Sequence, residues 1–286
     1  MPNFMRPIHF SLLFTLTPLM FAIGGCSAKP ATNTTVTTLT NPDAIAYPSI
    51  DSGLSEQLYP NEKVIAEQIA EVIEKSIRKQ YVLGSARRDA HPKAHGCVRA
   101  EFQVLETLPK HLAKGLFIPG KKYQAWIRFS NGSPDATQAD IKKDARGMAI
   151  KVLAVSGANR LEDEVATQDF IMINHPVFFV NDPNRYMSFM RDINSDRFFR
   201  KLHIPFALGS KGTLIALNLR TKISNPLQTR YWSMVPYQLG IGPDRQAVKY
   251  SARSCTAAID PIPNHPKHDF LRDALRTSLQ KGDACM

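Results

Sequence analysis

Cysteine is scarce: there are four in 286 residues, and no two of them have the spacing of a metal-binding pair. That excludes a zinc-nucleated or disulfide-dense scaffold. A chain this long with 43% hydrophobic residues needs neither, because it can bury a full core of its own. No internal repeat recurs, which excludes solenoid and propeller arrays. Long apolar runs are missing too, since the one candidate, Phe10 to Ile23, is shorter than the roughly 20 residues a spanning helix requires. The formal net charge is +11, but Lys and Arg are spread along the chain with Asp and Glu between them. No nucleic-acid module accompanies the charge, so nucleic acid is not the expected partner. An anionic ligand carrying two carboxylates would need only two or three well-placed arginines.

What is present begins with an export pattern. Arg6 supplies a positive start, the apolar stretch follows, and Ile23-Gly24-Gly25-Cys26 closes it. This ending resembles the lipobox of bacterial lipoproteins, in which the signal is cut before the cysteine and the cysteine carries the lipid. On that reading residues 1–25 are a signal peptide and Cys26 is the lipidation site. The mature protein is then lipid-anchored on the periplasmic side of a bacterial membrane, and Ser27 in place of an aspartate points to the outer membrane. An ordinary secretory signal or an uncleaved anchor are the alternatives. Residues 26–54 are rich in Thr, Asn, Pro and Ser with little charge, cannot bury enough surface to order, and read as a flexible tether. Export permits disulfides, and Cys255 with Cys285 is the favoured pair, with Cys97 left over.

The folded domain is expected over 55–286. Ile65, Ile69, Val72 and Ile73 fall on one face of a helix whose other face is charged. Cys97 to Leu105, Tyr123 to Phe129, Gly147 to Val155, Phe170 to Ile173, Thr213 to Leu219 and Ala247 to Ala252 read as strands. Pro183 to Asn194 and Pro205 to Ser210 read as helical or irregular, and Phe270 to Leu279 as an amphipathic helix. Strands separated by turns, with helices inserted late, predict an α+β fold built on an antiparallel β-barrel with N-terminal and inserted helices.

Four short segments carry the chemistry. They are Arg88-Asp89-Ala90-His91-Pro92-Lys93, Arg128-Phe129-Ser130, Lys143-Asp144-Ala145-Arg146-Gly147, and Asn174-His175-Pro176-Val177-Phe178-Phe179. Taken alone, His91 reads as a surface or capping histidine held in an extended or turn conformation before Pro92. An imidazole can also relay a proton near neutral pH. In this order and at this spacing the four segments resemble the distal half of the heme pocket of catalases. Tyr231 to Tyr237 and Ala247 to Ser251 extend the resemblance, which covers roughly residues 85 to 255.

The resemblance implies heme b as cofactor and a peroxide as substrate, with an oligomer possible. It makes His91 the distal acid and base, with Ser130 orienting it and Asn174 as a further catalytic candidate. Arg88 and Arg128 would hold the heme propionates, with Phe179 and Tyr186 against the porphyrin. Lys93, Gly96 and Phe102 match the motif around the histidine, Asp144 would sit by the peroxide channel, and Phe189 would line it. Two departures stand out. Counting back from Pro176 puts Ile173, not Asn174, at the position of the family's distal amide. The family's proximal tyrosine lies in an Arg-x-x-x-Tyr helix, no such pattern occurs here, and no tyrosine follows Tyr250. The metal ligand is therefore unassigned, and the expected domain is C-terminally incomplete, its last helix a linker. The expected function is a heme protein decomposing or reducing hydrogen peroxide or organic peroxides outside the cytoplasm. The alternative is a non-catalytic heme-binding or structural lipoprotein.

Overall fold

The computed structural model describes residues 50–157 and 166–286. Cys26 and the expected signal peptide and most of the expected tether lie outside these residues. Residues 50–57 belong to a separate small unit, in which the Asp51 carboxylate accepts from Leu54 N at 3.3 Å to cap a single turn, Ser52–Leu54. The larger unit runs from Leu58 to Met286 in its described part.

Its centre is a six-stranded, wholly antiparallel sheet in the order β1-β2-β3-β4-β5-β8. The long strands are β1 Ala94–Gln103, β2 Lys122–Asn131, β3 Arg146–Leu153 and β4 Thr167–Ile173. The short ones are β5 Tyr231–Ser233 and β8 Ser251–Ala252, and β6 Tyr237–Leu239 pairs with β7 Gln246–Val248 as a separate hairpin. Strict alternation produces the two faces. In β2, Tyr123, Ala125, Ile127 and Phe129 point into the core, while Gln124, Trp126 and Arg128 point out of it. Across the sheet Phe129 pairs with Met148 and Met148 with Met172, and Ile127 pairs with Ile150 and Ile150 with Phe170. The register is held by these apolar rows, because a slip of one residue would turn every one of them to the outer face.

Among the described residues four helices complete the α+β fold: α1 Glu62–Gln80, α2 Pro183–Ile193, α3 Phe198–Leu219 and α4 Phe270–Lys281. In α1 Ile65 is buried and Ile69, Val72 and Ile73 are half-buried, as the spacing predicts. The α2 start is fixed by Asp182, whose side chain accepts from Asn184 N at 2.7 Å, followed by Pro183 in the first helical position. Thr213 to Leu219, expected as a strand, instead continues α3 beyond a kink at Gly209, whose φ of 69° lies in the left-handed region. A short apolar run does not declare its period. Beyond the kink its buried residues, Gly212 and Leu219, lie two helical turns apart.

The terminal helix differs from expectation as well. Rather than a linker, α4 packs on β1: Leu271 is fully buried, and a Cβ on Gly96 would lie 2.7 Å from Leu275 Cδ2. Burying each such leucine contributes about 1.5–3 kcal/mol. Cys255 is bonded to Cys285, with Cα atoms 5.3 Å apart, which ties the segment after α4 back to the end of β8.

Candidate functional site

The ends of four strands meet at one place. Ala94 of β1 pairs with Ser130 of β2, Ser130 with Gly147 of β3, and Gly147 with Ile173 of β4. These partners share the outer face of the sheet, opposite the core rows. His91 lies three residues before β1 and hangs over this row.

Its backbone is left-handed, with φ 60°, rather than the extended or turn form expected before proline. A non-glycine residue in that region costs about 1–3 kcal/mol and persists only where neighbours impose it. Here Arg128 Nη2 donates to His91 O at 2.6 Å, and Asn131 N donates to Lys93 O at 3.0 Å. The His91 Nδ1 lies 3.0 Å from Ser130 Oγ. Below the ring there is no side chain. A Cβ on Gly147 would fall 2.5 Å from His91 Nδ1 and 2.9 Å from Ser130 Oγ, so only glycine leaves the ring its place.

Electrostatics keep the imidazole neutral. Burial, then the charge of Arg128, then that of Arg88 lower its pKa to about 4, against a smaller opposing hydrogen bond at the Asn131 backbone. Beside it, burial raises the Asp89 carboxyl, and burial together with Asp89 raises the Tyr186 phenol. Tyr186 belongs to an aromatic group on and before α2. Phe178 and Phe179 have centroids 4.5 Å apart, Phe179 meets Phe189 edge-on at 5.1 Å, and Phe178 lies 6.1 Å from Tyr186. Arg88, His91, Arg128 and Ser130 are thus gathered at one end of the sheet, with Tyr186 reaching the same segment through Asp89 and Phe179 within the aromatic group.

Asn174 is not brought to His91 by any contact. Its Oδ1 accepts from Arg146 N at 2.7 Å, and its Nδ2 donates to Leu219 O at 3.0 Å and Thr221 Oγ1 at 2.9 Å. The amide is spent on joining β3 to the end of α3. Ile173, buried and in the row of Ser130 and Gly147, holds the position facing the histidine's end of the sheet. Asp144 is likewise structural: its Oδ2 accepts from Ser133 N at 3.1 Å and Gln138 Nε2 at 3.0 Å, which closes the loop before β3. Lys93 is buried in ion pairs with Asp140 at 2.8 Å and Asp269 at 2.7 Å. Gly147 was matched only as part of a motif, and its role as the floor under His91 emerges from cross-strand register, which no short motif reports.

The residues present fit the distal half of a heme. Gly147 lets the His91 ring pack against the strand ends, the imidazole is neutral, and the charges of Arg128 and Arg88 act on it, a donor set that suits a ligand with two carboxylates.

Residues 77–198 match the family model described as catalase. The catalase of Latilactobacillus sakei is 30% identical over 110 residues, covering 38% of this chain and 21% of that protein. The catalase of Methanosarcina barkeri is 31% identical over 104 residues, covering 36% of this chain and 19% of that protein. The crystal structure of a fungal catalase superposes with a TM-score of 0.50 at 17% identity, over 92% of this chain and 53% of the other, a likeness of fold. The matched segment thus spans about a fifth of the curated relatives' length. With the strand ends converging on His91 in the same segment, residues 77–198 of this chain are similar to the catalase family.

Proposed function

We propose that this chain supplies the distal, proton-handling half of a heme peroxide site and acts on hydrogen peroxide or an organic peroxide. The observation that carries this reading is the His91–Ser130 pair at 3.0 Å, with an imidazole whose pKa lies near 4. When Nδ1–H donates to Ser130 Oγ, the lone pair rests on Nε2, and the neutral ring takes a proton from one peroxide oxygen and returns it to the other. Arg88 and Arg128 would hold the two propionates, and their charges keep His91 from holding a proton of its own. Phe179 and Tyr186 would pack against the porphyrin and exclude water. Bound heme would supply the redox-active iron at which the O–O bond is cleaved. Ile173, where an amide would polarise the peroxide, favours slower peroxidase or peroxygenase turnover over fast disproportionation.

The test is reconstitution of the whole chain with hemin. A Soret band that shifts on peroxide addition, with turnover lost in His91→Ala, supports the reading. A Soret band with no peroxide response, unchanged by His91→Ala, would favour the non-catalytic heme-binding alternative. Lipid anchoring outside the cytoplasm rests on Ile23-Gly24-Gly25-Cys26 alone and is proposed with it. Labelled palmitate incorporated by the wild type but not by Cys26→Ser is the expected result.

A further inference from the structure

The inner face of the sheet encloses something the His91 site does not use. A cavity of about 410 Å³ lies among Phe117, Ile127, Met148, Ile150, Phe170 and Met172, on the face of β2, β3 and β4 opposite Ser130. That volume is within the range of about 300–1,000 Å³ typical of small-molecule sites. Arg230, Tyr250 and Met286 also line the cavity, and further lining residues come from Ala100–Gln103 of β1 and from Ser251, Ala252 and Arg253 at β8. These are the two edge strands of the sheet, which are not paired with one another, so the chamber opens between them.

The mouth is charged. Arg230 and Arg253 are exposed lining residues, and Arg230 is set in place by stacking 4.9 Å from the Trp232 ring and by donating from Nε to Ser251 Oγ at 2.9 Å. The nearby Glu101 carboxylate is engaged by Lys122 at 2.9 Å, which leaves the positive charge of the arginines to dominate. Tyr250, on the wall, stays a neutral phenol, its pKa pushed up to about 12 by burial and then by Tyr237.

We infer that this chamber binds a medium-chain fatty acid, the acyl chain among the phenylalanines, isoleucines and methionines and the carboxylate at Arg230 and Arg253. Apolar walls exclude a polar ligand, because its buried groups would go unpaired. Two guanidiniums at the mouth, with the Glu101 carboxylate held by Lys122, select a carboxylate over a neutral head. The site shares no side chain with the His91 cluster, and binding is independent of heme.

The test is calorimetric titration of the full chain with dodecanoate below its micelle concentration, alongside dodecanol. Saturable one-to-one binding of dodecanoate is expected, at least tenfold tighter than dodecanol. Arg230→Glu with Arg253→Glu, both on the surface, should weaken dodecanoate tenfold or more and leave dodecanol unchanged. Ala125→Phe, which fills the chamber, should abolish both. Because that variant changes the core, methyl resonances of Met148 and Met172 in the unmodified protein give a second readout, shifting on saturation. No saturable binding, equal affinity for the two ligands, or binding that leaves those methyls unmoved would overturn the inference.

Discussion

A single imidazole carries the proposed chemistry, and its state is set by three things the structure places around it: burial, Arg128 and Arg88. A neutral histidine at pH 5 is therefore expected, where a free one would be largely charged. Titration of the His91 ring by NMR should give a midpoint near 4, and Arg128→Gln should move it upward by removing a positive neighbour. A wild-type midpoint at 6.5 would mean that the cluster does not form in solution. The glycine below the ring is the second residue-scale test. Gly147→Ala puts a methyl 2.5 Å from Nδ1, and the ring must leave Ser130 or the strands must part. Overpacking of this kind costs about 1–3 kcal/mol. The measurement is the denaturation midpoint together with the His91 resonance. Loss of stability with an unmoved ring would assign Gly147 to packing alone.

At the scale of elements, the site depends on how β1 is held, and Lys93 does much of the holding. Two residues after His91 it reaches the fully buried Asp140 in the loop before β3 and Asp269 at the start of α4. Asn131 Nδ2 donates to Asp140 Oδ1 at 3.1 Å, and Arg146 Nη2 to Asp140 O at 3.0 Å, so the ends of β1, β2 and β3 share one polar cluster. Lys93→Met leaves the Asp140 carboxylate buried without its cation, a loss of about 3–5 kcal/mol. Urea denaturation would show it, and a change under 1 kcal/mol would mean that Asp140 finds another partner. Little of this was legible beforehand. Alternation gave β1 to β4 within a few residues because each has one dry face. Arg88, His91, Arg128 and Ser130 were legible as a set only through the resemblance of their segments to catalases. Thr213 to Leu219 was misread because an apolar run of seven suits a strand or a buried helix equally. The hydrogen bonds of Asn174 were not legible because its partners, Leu219 and Thr221, come from a distant element, and sequence spacing says nothing of them.

For the molecule as a whole, several buried titratable groups respond to acid with different signs. His91 has its pKa lowered to about 4, and His95 is also depressed, chiefly by burial, though Asp140 opposes this. Both bind protons more readily when unfolded, so stability is lost as pH falls from about 6.5 toward 4. Asp269 comes next. Its pKa is lowered to about 2 by hydrogen bonds from Lys93 and His268, so its contribution is present above about 4 and lost as pH falls through 2. Its effect is small, because the carboxylate is half-exposed and solvent screens its partners. Asp144 and Asp89 act the other way, since burial raises both and their protonation favours the folded state. Between pH 6.5 and 4 the two histidines meet opposition only from the upper reach of those carboxyls, so the net slope there is downward with acid. Urea midpoints measured across that window should fall steadily, and His95→Gln should flatten the slope while leaving the His91 titration near 4. A midpoint that stays constant to pH 4 would show that the histidines are solvated rather than buried, and with that the electrostatic basis of the proposed proton relay would go.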